Sequence, residues 1–188
     1  MAIYTRVGDA GETKRIDGAD IGKDDPRVHA VGSTDELNCQ IGLALAAARA
    51  EDLPDIAPIL QPVQSELFAL GSNLASVQTN MAIPLTIDPD SIERMEKQVD
   101  AAFEIAGPLS HFILPGGCMT ACHLHVARAT CRRAERWLVS FARTVKLEPL
   151  ALKYINRLSD LLFALTRQAN AQSGIQETQW SRDSMKDR

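Results

Sequence analysis

From about residue 25 onward, apolar positions recur at the spacing of one face of an α-helix. Asp25-Pro26 has the form of an N-cap followed by proline at the first helical position, where its missing N–H costs nothing. Val28, Val31, Leu37, Ile41 and Leu45 then mark a first helix running to about Ala50. Ser33 and Glu36 have capping-box spacing and offer an alternative start one or two turns later. Gly32 lies inside the pattern at a cost of about 1 kcal/mol relative to alanine, which calls for a packing or backbone reason. A second helix starts near Pro54–Pro62 and runs through Val63, Leu67, Leu70 and Leu74. A third follows the Asp88-Pro89 cap and spans Ile92 to Ile105. Two longer helices are predicted from about Cys118 to Val145 and from about Leu150 to Ala171.

Three stretches break the periodicity. Residues 3–24 are charged and punctuated by Gly8, Gly11, Gly18 and Gly22, which reads as an extended segment. Residues 107–117, GPLSHFILPGG, form a loop by glycine and proline content, yet an unusually apolar one. The chain ends in the polar sequence WSRDSMKDR. With no internal repeat and no linker, the pattern predicts one domain over residues 1–188. It is all-α, an up-and-down bundle of about five helices over 25–173, preceded by a Gly-rich extended segment (1–24) and followed by a polar tail (174–188).

Composition narrows the function more than the fold. At 188 residues, with 45% apolar and 23% charged residues, the chain can bury a core of its own and needs no staple. A net charge of −4 argues against a nucleic-acid binder or a partner of anionic membranes, although a local basic patch can hide within that total. Cys39, Cys118, Cys122 and Cys131 include no Cys-x-x-Cys pair. The N-terminal residues lack a signal-like apolar core, and no apolar run reaches the roughly 18 residues of a membrane helix. Reduced thiols and a cytoplasmic location are the expectation.

The strongest chemical signal is HLHVARATCRRAERWL, residues 123–138. At about 100° per residue, Ala127, Cys131, Ala134 and Leu138 make an apolar stripe. Arg128, Arg132 and Glu135 fall within roughly 60° of one another on an adjacent stripe, with Arg136 beside them. A solvated face with an Arg132–Glu135 pair would look the same. Arginine without lysine, however, supplies the planar fork that suits polyphosphate. A second signal is YTRVGDAGETKR, residues 4–15, where close-spaced glycines and Arg6, Lys14 and Arg15 could approach an anion. It matches neither a Walker A loop nor G-x-G-x-x-G, and alone it reads equally as a surface turn. His123 and His125 point about 200° apart on a helix and do not converge. Cys118, Cys122 and His125 share a face, which suits either a zinc site or small thiols packed between helices. Phe112, in the apolar loop, either seals the end of the bundle or covers a ligand.

Taken together, YTRVGDAGET, KDDPRVHAVGSTDELN, FILPGG, LHVARATCRRAER and YINRLSDLLFALTR, in that order from Ile3 to about Arg167, resemble the PduO-type ATP:cob(I)alamin adenosyltransferases. The resemblance implies a homotrimer of helical bundles that binds ATP, with Mg2+, and cobalamin between adjacent subunits. It implies transfer of the 5′-deoxyadenosyl group to Co(I) with release of triphosphate. A cobalamin reductase would supply the reduced substrate and adenosylcobalamin-dependent enzymes would take the product. Carried over by position, ATP falls to Thr5, Arg6, Val7, Gly8, Thr13, Lys14 and Lys23, to Arg132, Arg133, Glu135 and Arg136, and to Asn156. The resemblance also implies an Asp35–Arg128 contact across the subunit boundary and places Phe112 beside the lower face of the corrin. Arg6-Val7 stands where the family usually has Lys-Thr, which removes one hydroxyl contact to phosphate. His29 and Cys39 replace the more usual Glu and Ser.

The implied chemistry agrees with the residues. Co(I) is itself the nucleophile, so no general base is required, and the charge to be stabilised builds on the departing triphosphate. Two other classes share the sequence features: a helical nucleotide-binding regulator, and a structural bundle whose arginines pair with partner acids.

Overall fold

The computed structural model describes residues 8–181. Two short strands, β1 (Glu12–Lys14) and β2 (Asp20–Gly22), precede five helices: α1 (Pro26–Ala50), α2 (Ala57–Ser76), α3 (Pro89–Ala106), α4 (Met119–Ala142) and α5 (Pro149–Gln172). Within the described part of the Gly-rich segment, residues 12–22 fold back on themselves. The strands pair antiparallel, with Thr13 opposite Ile21 and Lys14 opposite Asp20. Gly18, at φ 85°, allows the tight return that closes with Gly18 N–H donating to Arg15 O at 2.9 Å.

The local start signals are used as the sequence implies. Asp25 Oδ1 accepts from Arg27 N at 2.7 Å, and Asp88 Oδ1 accepts from Ser91 N at 2.8 Å. Ser33 lies buried within α1 and is not a cap, so the Asp25-Pro26 start holds. The α4 helix begins at Met119 and ends at Ala142, slightly inside the expected limits, because residues 143–145 turn out of the helix.

The α1 helix packs on α2 and α4, and α5 packs on α4 and α3. The ring closes at Glu66 of α2, which accepts hydrogen bonds from Ser91 Oγ of α3 and from the fully buried Tyr154 hydroxyl of α5, and forms an ion pair with Arg94. Burial, then the facing carboxylate, raises the Tyr154 pKa well above that of a free phenol, so the hydroxyl remains a donor. The core is leucine-rich where α2 and α5 face inward (Leu60, Leu67, Leu70, Leu74, Leu158, Leu162, Leu165). It is alanine-rich between α1 and α4 (Ala30, Ala44, Ala48, Ala121, Ala127, Ala134). Each buried leucine contributes roughly 1.5–3 kcal/mol, whereas the alanines permit close helix approach.

The segment after α5 is not a free polar tail over its whole length. Residues 175–181 return to the apolar loop, where Leu114 N–H donates to Thr178 O (2.8 Å) and Trp180 N–H to Phe112 O (2.7 Å). Among the described residues, no helix is long and apolar enough to cross a membrane.

Candidate active site

The arginine-bearing α4 helix is anchored at its N-terminus by a residue distant in sequence. Glu51, just past α1, accepts from Met119 N with Oε1 and from Thr120 N with Oε2, both at 2.8 Å. A carboxylate there satisfies two otherwise orphaned amides and complements the positive end of the helix dipole. Burial alone would raise the Glu51 pKa, but these hydrogen bonds outweigh it and hold the carboxyl below its ordinary value.

Flanking contacts then fix the rotation of α4. Toward α1, Arg133 pairs with Glu36, and Trp137 stacks on His29 with ring centroids 3.9 Å apart and planes 7° from parallel. Toward α5, the Cys131 thiol donates to Ile155 O (3.2 Å) and Asn156 Nδ2 donates to Glu135 Oε1 (2.8 Å). Glu135 is thus engaged by Asn156, and not by Arg132 as the spacing alone suggests. Two of the residues implied at the nucleotide, Glu135 and Asn156, therefore meet directly. Arg132 and Arg136 stay exposed, and among the described residues neither forms an ion pair. Arg128 is half-buried, with its guanidinium 5.9 Å from the Phe163 ring centroid and its Nε without a partner. Burial, and then the charge of Arg132, lower its pKa, but an arginine remains ionised at neutral pH.

A cleft of about 600 Å³ opens along this face and is lined in part by Gly116, Cys122, His125, Arg128, Arg133 and Arg136. His125 is buried, and burial followed by the Arg128 charge lowers its pKa to about 4, so it is neutral at pH 7. Cys118 and Cys122, two of the three residues weighed for zinc, are each engaged with backbone. The Cys118 sulfur caps α4 by accepting from Ala121 N, and the Cys122 thiol donates to Gly117 O. Among the described residues, no three His, Cys, Asp or Glu side chains converge on a metal-sized site.

Phe112 is 79% exposed at the tip of its loop, so it does not seal the bundle. Two polar residues of α5 hold that loop. Arg167 donates to Gly107 O (2.8 Å), Ala106 O (3.2 Å) and Glu177 Oε2 (3.1 Å), and lies 5.2 Å from the Phe103 ring centroid. Asn170 Oδ1 accepts from Cys118 N (3.1 Å), and its Nδ2 donates to Gly116 O (3.2 Å). Gly117, at φ 119°, is required here: a Cβ would sit 1.8 Å from Asn170 Oδ1. The sequence reading missed Arg167, Asn170 and Glu51. A charged residue inside the otherwise apolar LLFALTRQAN run was the available signal.

The remaining predicted residues lie elsewhere on the chain. Thr13 and Lys14 of β1 line a second hollow of about 270 Å³ with Arg27 and Ala75, and Lys14 pairs with Asp20. Lys23 Nζ donates to Gly8 O at 2.7 Å, drawing those two residues together. Asp35 is exposed in a groove between α1 and α2 with Phe68 and Ser72, and makes no contact with Arg128 of its own chain. Thr5, Arg6 and Val7 lie outside the described residues. The hairpin hollow and the Asp35 groove adjoin, sharing Ile16, Val31, Gly32 and Ala75, whereas the cleft beside the arginines is lined by none of these residues.

An exposed arginine row, fixed by neighbours that leave two of its cations unpaired, defines a helical-bundle protein suited to a polyanion. The family model for cobalamin adenosyltransferase matches residues 3–169, and the chain belongs to that family. It is 42% identical to a corrinoid adenosyltransferase of Citrobacter freundii over 166 residues, covering 88% of this chain and 93% of that one. It is 40% identical to the corrinoid adenosyltransferase of Bacillus subtilis over 186 residues, covering 98% and 95%. Among solved structures, a phenylalanine-to-alanine variant of the PduO-type ATP:corrinoid adenosyltransferase from Lactobacillus reuteri, complexed with cobalamin and ATP, superposes with a TM-score of 0.89. That pair is 32% identical, with 96% of this chain and 100% of that chain covered. An arginine-to-lysine variant of the same enzyme, complexed with ATP, gives 0.87 at 34% identity, covering 95% and 100%.

Proposed function

We propose that this protein transfers the 5′-deoxyadenosyl group of ATP to the Co(I) of a corrinoid, giving adenosylcobalamin and triphosphate. The observation that carries the reading is the pair of exposed, unpaired cations, Arg132 and Arg136, beside the Glu135–Asn156 pair on α4 and α5. The corrinoid cobalt displaces triphosphate from C5′, so a cobalt–carbon bond forms as a carbon–oxygen bond breaks and no proton is taken up or released at that carbon. The task left to the protein is to hold negative charge as it gathers on the leaving group. Preoriented guanidinium donors perform it best where α4 cannot rotate.

The separation of the hairpin and Asp35 from the arginine face on one chain supports a site assembled between subunits of a homotrimer. In that arrangement Thr13, Lys14 and Lys23, with Thr5, Arg6, Val7 and Gly8, approach the phosphates from one chain. Arg132, Arg133, Glu135, Arg136 and Asn156 approach from the next, and Asp35 meets Arg128 across the boundary. Phe112, exposed on a braced loop, would lie against the lower face of the corrin and exclude an axial base. The Mg2+ that accompanies ATP would be carried on its phosphates. In this reading the protein works in the cytoplasm, takes reduced corrinoid from a cobalamin reductase and passes its product to adenosylcobalamin-dependent enzymes.

The test is turnover. Anaerobic incubation with ATP and chemically reduced cobalamin should yield a light-sensitive alkylcobalamin and one triphosphate per product. ATP binding without either product would assign the protein to nucleotide-binding regulators instead.

A further inference from the structure

The α5 helix ends in a Schellman turn that sends the chain back toward the Phe112 loop. Gly174, at φ 65°, donates its N–H to Ala171 O (3.1 Å), and the Ile175 N–H donates to Asn170 O (2.9 Å). Glu177 is then held by Arg167, whose other donors bond Ala106 O and Gly107 O at the start of the loop. Leu114 N–H donates to Thr178 O and Trp180 N–H to Phe112 O. Ile113 therefore faces Gln179 across an antiparallel bridge, and Phe112 lies directly opposite Trp180. Apart from Glu177, every residue from 173 to 181 is exposed. Ordering such a segment costs conformational entropy that its small burial does not offset, so stability alone does not account for the pairing. The paired loop continues through Pro115 and Gly116, which line the cleft beside the arginines.

We infer that the segment after α5 is a positioning element for Phe112, acting through the main-chain N–H of Trp180. The inference rests on the reading of Phe112 given above and names what sets the ring in place. Arg167 and Asn170 fasten the loop only at its ends, at residues 106–107 and 116–118. Between those points, and among the described residues, the backbone–backbone bonds of residues 108–115 are the two made with Thr178 and Trp180. The Phe112 side chain is 79% exposed, so packing does little to hold it and its aim depends on the main chain. The Trp180 N–H reaches the carbonyl of Phe112 itself, at 2.7 Å, and so fixes the peptide plane next to the ring. A ring that excludes an axial base has to be held within about 0.5 Å of its place.

The test compares the parent with Phe112→Ala, Trp180→Pro, Trp180→Ala and the Phe112→Ala/Trp180→Pro double variant. Trp180→Pro removes the N–H that Phe112 O accepts, whereas Trp180→Ala keeps that N–H and removes only the indole. Each is assayed in steady-state adenosylation, and with ATP and cob(II)alamin by electron paramagnetic resonance, which reports whether a nitrogen base remains on cobalt. Trp180→Pro should raise the KM for cobalamin roughly two- to tenfold, the span that losing one hydrogen bond allows. It should also lower the fraction of base-free Co(II) and leave the KM for ATP unchanged. Trp180→Ala should stay within about twofold of the parent in both KM values and keep the base-free signal. Phe112→Ala should lose that signal, and adding Trp180→Pro to it should change nothing further, because the pairing acts through the ring. A Trp180→Pro enzyme with parental KM and spectrum would overturn the inference. So would Trp180→Ala as impaired as Trp180→Pro, a KM change shared equally with ATP, or effects of Phe112→Ala and Trp180→Pro that simply add. Should Trp180→Pro not fold, Gly174→Val carries the same expectations, since a β-branched residue at that positive φ redirects the segment at its origin. Impairment in Phe112→Ala without impairment in Trp180→Pro sinks the inference alone. A Phe112→Ala enzyme with parental turnover and signal sinks the reading of Phe112, and the inference with it.

Discussion

Arg167 is 5% exposed, and its loss should loosen the loop that presents Phe112 before it affects the arginine row. Arg167→Met keeps most of the aliphatic length but removes the guanidinium. Gly107 O and Ala106 O lose their donor, the Phe103 ring loses its cation, and the Glu177 carboxylate, with 17% of its side chain exposed, loses its ion-pair partner. Removing one partner of a buried pair costs about 3–5 kcal/mol. Residual solvent access at Glu177 places this case near the lower end, at about 3 kcal/mol. A domain of this size shifts by about 2–4 °C per kcal/mol, so the melting temperature should fall by roughly 6–12 °C while the variant still folds. Urea denaturation at a fixed protein concentration should show a lower midpoint with an unchanged slope. Limited proteolysis should cut first within residues 107–117. Arg167→Met combined with Glu177→Met removes both charges and should recover part of the loss. A single variant as stable as the parent would refute the reasoning, as would a double variant no better than the single one.

Other outcomes follow from the same geometry. Arg132→Lys should lose about 10²–10³ in kcat, because a point charge cannot reproduce the guanidinium fork; parental turnover would reduce the arginine row to a solvated face. Asp35→Asn and Arg128→Ala should each impair cobalamin use more than ATP binding, and a double-mutant cycle should show coupling above about 0.5 kcal/mol; strict additivity would mean that the two residues never meet. Glu51→Gln should cost about 1 kcal/mol at neutral pH, as the loss of a helix cap does. The Glu51 pKa is depressed in the folded state, so its contribution is complete above the unfolded value of about 4.3 and is lost as pH falls through the folded value. The stability gap between parent and Glu51→Gln should therefore close as pH falls below the ordinary carboxylate range. A gap that stays constant between neutral pH and acid would contradict the carboxylate cap.

The five helices were legible because their information is local. Asp25-Pro26 and Asp88-Pro89 set start points through bonds spanning two or three residues, and the apolar period was carried by the side chains that end up buried. The hairpin at Glu12–Gly22 was not legible, since three-residue strands leave no period to count and the turn rests on Gly18 among several glycines. The arginine row was visible as a stripe, but its wiring was not. Helical spacing puts Glu135 within reach of Arg132 and equally within reach of α5, and Asn156, 21 residues away, takes the bond. The distinction matters for function, because Glu135 held by Asn156 leaves Arg132 free, whereas an Arg132–Glu135 pair would have occupied the cation.

The residues that hold the site in place share one property that explains why pattern reading misses them. Glu51 reaches α4 across 68 residues, Asn170 reaches Cys118 across 52, and Arg167 reaches Gly107 across 60. Each is a side chain bonded to backbone at a helix end, the place where helices leave unsatisfied groups by construction. Sequence predicts that such groups exist at each predicted terminus, but many distant polar residues can satisfy them, and only the packed bundle selects one. Asn170 shows what that selection requires: its amide fits because residue 117 has no Cβ, so the glycine read locally as a loop signal serves a partner that is distant in sequence and adjacent in space. Phe112 is then displayed on a loop fastened at both ends, by Arg167 at Ala106 and Gly107 and by Asn170 at Gly116 and Cys118. An aromatic ring left 79% exposed on so constrained a backbone is poorly explained by stability and well explained by a ligand.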